Sequence, residues 1–199
     1  MIDESRASPV VKRFFKKSFC GKLVTDFWGS YNAVVCAGKQ KCLAHLLGDL
    51  KKVAKYKDQS GDWPEFAKLL KRIVRDALRL RGAMSQYDES TFAGRRCRIE
   101  TRLTQLIASP WKNVEARRLV KRLRRHRDEL LVFLHDPLVS PDNNHAERTI
   151  RGGVIMRKNS YCNRSLDGAN TQTIVNALRE YLKTKKLPEL KQVVRNSDE

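Results

Sequence analysis

From His45 to about His135 the chain loses every strand signal. Leu46, Leu47, Leu50 and Val53 recur at helical spacing. Phe66, Leu69, Leu70, Ile73, Val74 and Ala77 follow on a second predicted helix, a third runs from about Thr91 to Ala108, and a fourth from about Val114 to Leu134. Pro64, Gly82 and Ser109-Pro110 punctuate them. So long a helical block excludes an all-β architecture and leaves only the flanks to form a sheet.

The flank before the block supplies one. Phe19 to Asp26 reads as a buried strand with Gly21 marking a turn near its start. Tyr31 to Ala37 reads as a short helix closed by Gly38 in the left-handed position. Lys39 to Leu43 is the next extended piece. A strand, helix, strand order implies parallel pairing. A short helix, Val10 to Lys17, is expected before this unit, and an amphipathic helix from about Gly168 to Lys185 after the block.

Charge points to the partner. Lys and Arg number 41 against 22 Asp and Glu, a formal net charge of +19. Such an excess favours a polyanion, because each neutralised phosphate releases condensed counterion. In the fourth helix Arg117, Arg118, Lys121, Arg122, Arg124, Arg125 and Arg127 cover more than one face. Singly each reads as a solvated cation; together they read as a DNA-backbone track. Five cysteines at irregular spacing, with no signal peptide, imply a reduced, cytoplasmic setting, and no apolar run reaches membrane-spanning length.

Two acids stand out. Asp26 ends the strand Leu23-Val24-Thr25, where α/β folds place ligands. As a plain N-cap it is poorly placed, since Phe27-Trp28-Gly29 intervene and Ser30 is the better cap. Glu147 lies in Asp142-Asn143-Asn144-His145-Ala146-Glu147-Arg148, beside Arg151, Arg157 and Lys158. Asn144 to Glu147 has capping-box spacing, which satisfies helix amides without chemistry. A carboxylate amid so many cations also suits a metal ligand in a phosphate-handling site. Asp142 caps or orients the helix, or supports a ligand from behind. Cys42 and His45 have Cys-x-x-His spacing, half of a zinc site with no second pair, or else a buried thiol and an orienting imidazole.

Val24-Thr25-Asp26-Phe27-Trp28-Gly29-Ser30-Tyr31-Asn32, then Lys41-Cys42-Leu43-Ala44-His45-Leu46, then the Asp-Asn-Asn-His-Ala-Glu-Arg string and Arg157-Lys158-Asn159 resemble the catalytic half of the insertion-sequence-66 transposases. The resemblance runs from about Ile2 to Leu182. It implies an α/β, ribonuclease-H-like fold of the DDE type, with residues 46–138 as an all-helical insertion in one domain, 1–199. It implies that Asp26 is the second acid and Glu147 the third, jointly holding magnesium or manganese for DNA cleavage and strand transfer. Cys42, His45 and Asp142 would support that site. Arg148, Arg151, Arg157 and Lys158 would contact DNA, ultimately transposon ends, with self-association a further expectation.

Gly152-Gly153 depart from the family, where proline often follows the arginine. Asp3 and Glu4 lack a surrounding apolar strand, so the leading strands and first acid of the family are expected to be missing. The chain then reads as a truncated transposase inactive alone, with a non-catalytic DNA-binding regulator as the alternative.

Overall fold

The computed structural model describes residues 19–159, with backbone only for 152–154 and 156–159, together with Pro9, Val11, Phe15, Gly168, Thr171, Ile174, Val175 and Leu178 individually. The expected helices over 10–17 and 168–185 lie largely outside these residues, as do Asp3, Glu4 and Cys162. The chain forms two compact units, residues 7–143 and residues 1–6 with 144–199.

Unit 7–143 is mixed α/β and mostly helical. Strand β1 (Phe19–Thr25) and strand β2 (Cys36–Lys41) pair in parallel, as their spacing predicts. Lys22 faces Gly38, Val24 faces Gln40 and Thr25 faces Lys41, with a register irregularity between Phe19 and Lys22. The Cys42 N–H extends the ladder to Thr25 O at 2.7 Å.

Three local expectations change. The connection is a 3-10 helix, Gly29–Ala33, rather than a helix over 31–37. Val34 and Val35 are β-branched and favour extended backbone, so β2 starts at Cys36 and absorbs Gly38. Gly38 therefore needs no left-handed conformation, and among the described glycines only Gly61 has positive φ, 64°. β1 is also less buried than its apolar character suggests. Thr25 alone in the strand is buried, because among the described residues β1 has a single ladder neighbour.

Four helices follow: α1 (Leu43–Tyr56), α2 (Trp63–Gly82), α3 (Glu89–Ala108) and α4 (Val114–Arg125). Each turns its apolar stripe inward. Leu46 and Leu50 of α1, Phe66 and Leu70 of α2, Leu103 of α3 and Leu119 and Leu123 of α4 share one hydrophobic cluster. Caps fix where helices start. Asp88 accepts the Thr91 N–H at 2.9 Å, and Asn113 accepts those of Glu115 and Ala116 at 2.9 and 3.1 Å. Asp62, before α2, reaches across to accept the Lys112 and Asn113 N–H groups at 2.6 and 2.9 Å, tying the starts of α2 and α4 together.

α4 stops at Arg125, nine residues short of the expected Leu134. Five apolar residues in a row, Leu130 to Leu134, cannot share one helical stripe. Breaking at His126 into two 3-10 turns, 127–129 and 132–134, buries Leu130, Leu131, Phe133 and Leu134 together. His126 is itself buried, its Nδ1 2.6 Å from Glu129 Oε2.

The second unit contributes α5 (Asn144–Asn159) to the described residues. No described helix is long and apolar enough to cross a membrane.

Candidate active site

Asp26 sits one residue beyond β1, at its carboxyl end, half-buried. Its Oδ1 accepts the Trp28 N–H at 2.9 Å, closing a turn that leads the chain away from the sheet. Trp28 packs edge-on against Tyr31 at 5.3 Å. The Tyr31 phenol is pushed above its ordinary pKa by burial and, secondarily, by the negative charge of Asp26. Both effects disfavour the phenolate and keep a neutral O–H beside the carboxylate.

The neighbouring strand end carries the least expected group. Lys41 is fully buried in β2, where its Nζ donates to Thr25 Oγ1 at 3.1 Å and lies 3.8 Å from Glu129 Oε2. Burial pulls its pKa below the usual lysine range, while Glu129 and, more weakly, Asp26 pull the other way. Glu129 also holds His126, whose ring packs edge-on against Phe27 at 5.7 Å. The Arg122 guanidinium lies 5.1 Å from the Phe27 ring centre and pairs with Asp49. Asp26 thus stands at the edge of a polar cluster of Thr25, Lys41, Glu129 and His126.

Lys41, Glu129 and His126 were not legible as site residues in the sequence. The signal that could have found two of the polar positions is Lys39-Gln40-Lys41 inside a parallel strand, where continuous apolar residues are the rule. Gln40 is buried too: its Nε2 donates to Leu130 O at 2.9 Å and its Oε1 accepts the Phe133 N–H at 3.1 Å. That side chain pins β2 to the chain beyond α4.

Cys42 is buried at the residue preceding α1, and His45 is half-buried in the first turn of that helix. The β1–β2 ladder brings Cys42 beside Thr25, next to Asp26 in sequence. Among the described residues no three His, Cys, Asp or Glu side chains converge as a metal-binding group, so Cys42 and His45 gain no partners for a zinc site there.

The other acid belongs to the second unit. α5 begins at Asn144, Glu147 lies in its first turn, and Asp142 precedes it with its N–H 3.3 Å from Ser140 Oγ. A carboxylate in the first turn meets the positive end of the helix dipole favourably. Glu147, Arg148 and Arg151 are exposed and, with Asn144 and Ile150, line a shallow groove of about 470 Å³. Arg157 and Lys158 lie on the same helix, their side chains outside the described residues.

In a comparison with protein families, the model of the family described as Transposase IS66 family matches residues 1–171. No curated protein and no solved structure shows significant similarity to the chain.

Proposed function

Because the chain belongs to the IS66 family of transposases, we propose that it takes part in DNA cleavage and strand transfer, with Asp26 and Glu147 as two acids of a DDE site. The observation that carries this reading is the position of Asp26. It follows the carboxyl end of a parallel strand, where α/β sheets place their ligands, and it borders a buried polar cluster. In this reading the β1–β2 pair is part of a ribonuclease-H-like sheet, and residues 46–138 are a helical insertion in one catalytic domain. Arg148, Arg151, Arg157 and Lys158 contact phosphates at transposon ends, and Asp142, Cys42 and His45 support the two acids.

Magnesium or manganese supplies the Lewis acidity that phosphoryl transfer on DNA needs. The described residues do not on their own form a complete donor set for it, since no three ligating side chains converge among them. We propose that another polypeptide supplies the third ligand. We therefore expect the isolated chain to be inactive. Asp26 and Glu147 act as metal-holding carboxylates only when that ligand is supplied.

Supercoiled plasmid incubated with magnesium separates the outcomes. The parent chain is expected to leave the plasmid intact. Nicking that Asp26→Ala and Glu147→Ala both abolish would uphold the two acids and refute the incompleteness. Nicking that survives both substitutions would sink the site assignment itself.

A further inference from the structure

α2 carries a stripe of cations with no structural use. Lys68, Lys71, Arg72, Arg75 and Arg79 are all exposed, and none of their side chains makes a hydrogen bond or ion pair among the described residues. At about 100° per residue the five fall within an arc of roughly 100° on one helical face. They line the rim of a groove of about 550 Å³ between α2 and the end of α1, floored by Leu50, Ala54 and Ala67. One carboxylate lines the same groove, Asp76, and it is held by Arg102 at 2.7 Å.

The fourth helix, richer in basic residues by sequence, is less available. Arg118 pairs with Glu115, Arg122 with Asp49, Arg124 donates to Ile107 O at 3.2 Å and Arg127 to Glu100 O at 3.0 Å. Only Arg117, Lys121 and Arg125 of that set are exposed without such a partner among the described residues.

We propose that the α2 face is a docking surface for the phosphodiester backbone of duplex DNA, separate from the carboxylate site and independent of metal. The inference goes beyond the catalytic reading and stands or falls without it. Charge complementarity selects the ligand, and geometry selects its shape. Lys68 to Arg79 spans about 16.5 Å at ~1.5 Å per residue. Over that length of duplex axis one strand rises past about five phosphates at ~3.4 Å each and winds away as it does so, so the face can meet several of them but not all. A lipid surface suits the face poorly. The main apolar side of α2 (Phe66, Leu70, Ile73 and Ala77) is buried in the core, and only Leu69 and Leu78, partly exposed beside the basic face, are left to insert among acyl chains.

The test is fluorescence anisotropy with a mixed-sequence 20-base-pair duplex in EDTA, between about 50 and 200 mM salt. Replacing Lys71, Arg72 and Arg75 with Gln should lower the salt slope by about 2.7 and weaken binding at least about tenfold at 0.1 M salt. The equally charged control, Lys51→Gln with Arg98→Gln and Lys112→Gln, exposed cations on other elements, should change the slope by less than about 1. Gln is close to Lys and Arg in helix propensity, so the fold should survive. If the triple variant melts below the parent, Lys68→Gln with Arg79→Gln gives the same reading, with an expected slope loss of about 1.8. Equal losses from the two triples, or none from the α2 triple, would overturn the proposal. So would tighter binding of the parent to phosphatidylserine vesicles than to the duplex at the same salt. Catalysis plays no part in this assay, so its failure leaves the plasmid result untouched.

Discussion

Replacing Gln40 with Leu should unfasten the sheet from the helical block. The two side chains are similar in size, so packing changes little and the perturbation is mainly the lost pairing. Gln40 is fully buried, as are Leu130 and Phe133. The substitution takes the donor from Leu130 O, 2.9 Å away, and the acceptor from the Phe133 N–H, 3.1 Å away. Each buried backbone group left unsatisfied costs about 1–3 kcal/mol, so the pair costs about 2–6 kcal/mol. A domain whose whole stability is about 5–15 kcal/mol would lose a large share of it. All three tryptophans, Trp28, Trp63 and Trp111, lie in the unit spanning residues 7–143, so their fluorescence reports its unfolding. At a urea slope of about 2 kcal/mol per molar, the midpoint should fall by roughly 1–3 M. A loss under about 1 kcal/mol would mean that water or a shifted backbone satisfies both groups, and would refute the claim that Gln40 fastens β2 in place.

Lys41→Met removes a cation whose burial outweighs its pairing but also takes a partner from Glu129, which keeps His126 and partial exposure, so the net change near neutral pH should be small. The folded state holds this proton less tightly than the unfolded chain, whose lysines titrate near 10.5, so Lys41 makes stability rise with pH up to that value. Urea midpoints measured over about pH 8–10 should rise in the parent and flatten in the variant; parallel curves would contradict this. Asn113→Ala should cost about 0.5–2 kcal/mol by uncapping α4, read in the same titration, and a loss below that range would show the cap to be redundant. Hydrogen bonds from Lys112 and Asn113 depress the pKa of Asp62, that from Thr91 depresses Asp88, and Lys22 with the Leu138 N–H depresses Asp136. Their stabilisation is present above the ordinary value of 3.8 and is lost as pH falls through the lowered ones. Circular dichroism should therefore show a shallower acid transition for Asp62→Asn than for the parent, and an unchanged transition would contradict the linkage.

The helical block was written in the sequence. Leu46, Leu50 and Val53, then Phe66, Leu70 and Ile73, repeat at the period that an isolated helix needs to bury one face, and that period is a local property. The parallel strand pair was legible for the same reason, as was the position of Asp26 at a strand end. The basic balance likewise named a polyanion. Local pattern failed where long-range contacts compete with it. Leu130 to Leu134 continue a helix by propensity, yet the core on one side and Gln40 on the other draw those residues off the helical stripe, and α4 ends at Arg125. Gly38 reads as a helix stop, yet pairing with Lys22 holds it in a strand. Nor can composition tell a used cation from a spare one. Arg122 and Arg124 look identical to Arg72 and Arg75 in sequence, and only the packing of α1, α3 and α4 engages the first pair and leaves the second exposed to solvent. Lys41 became a buried, pKa-lowered neighbour of Asp26 because its strand end is covered by Glu129, 88 residues away in sequence (129 − 41), and no local rule spans that distance.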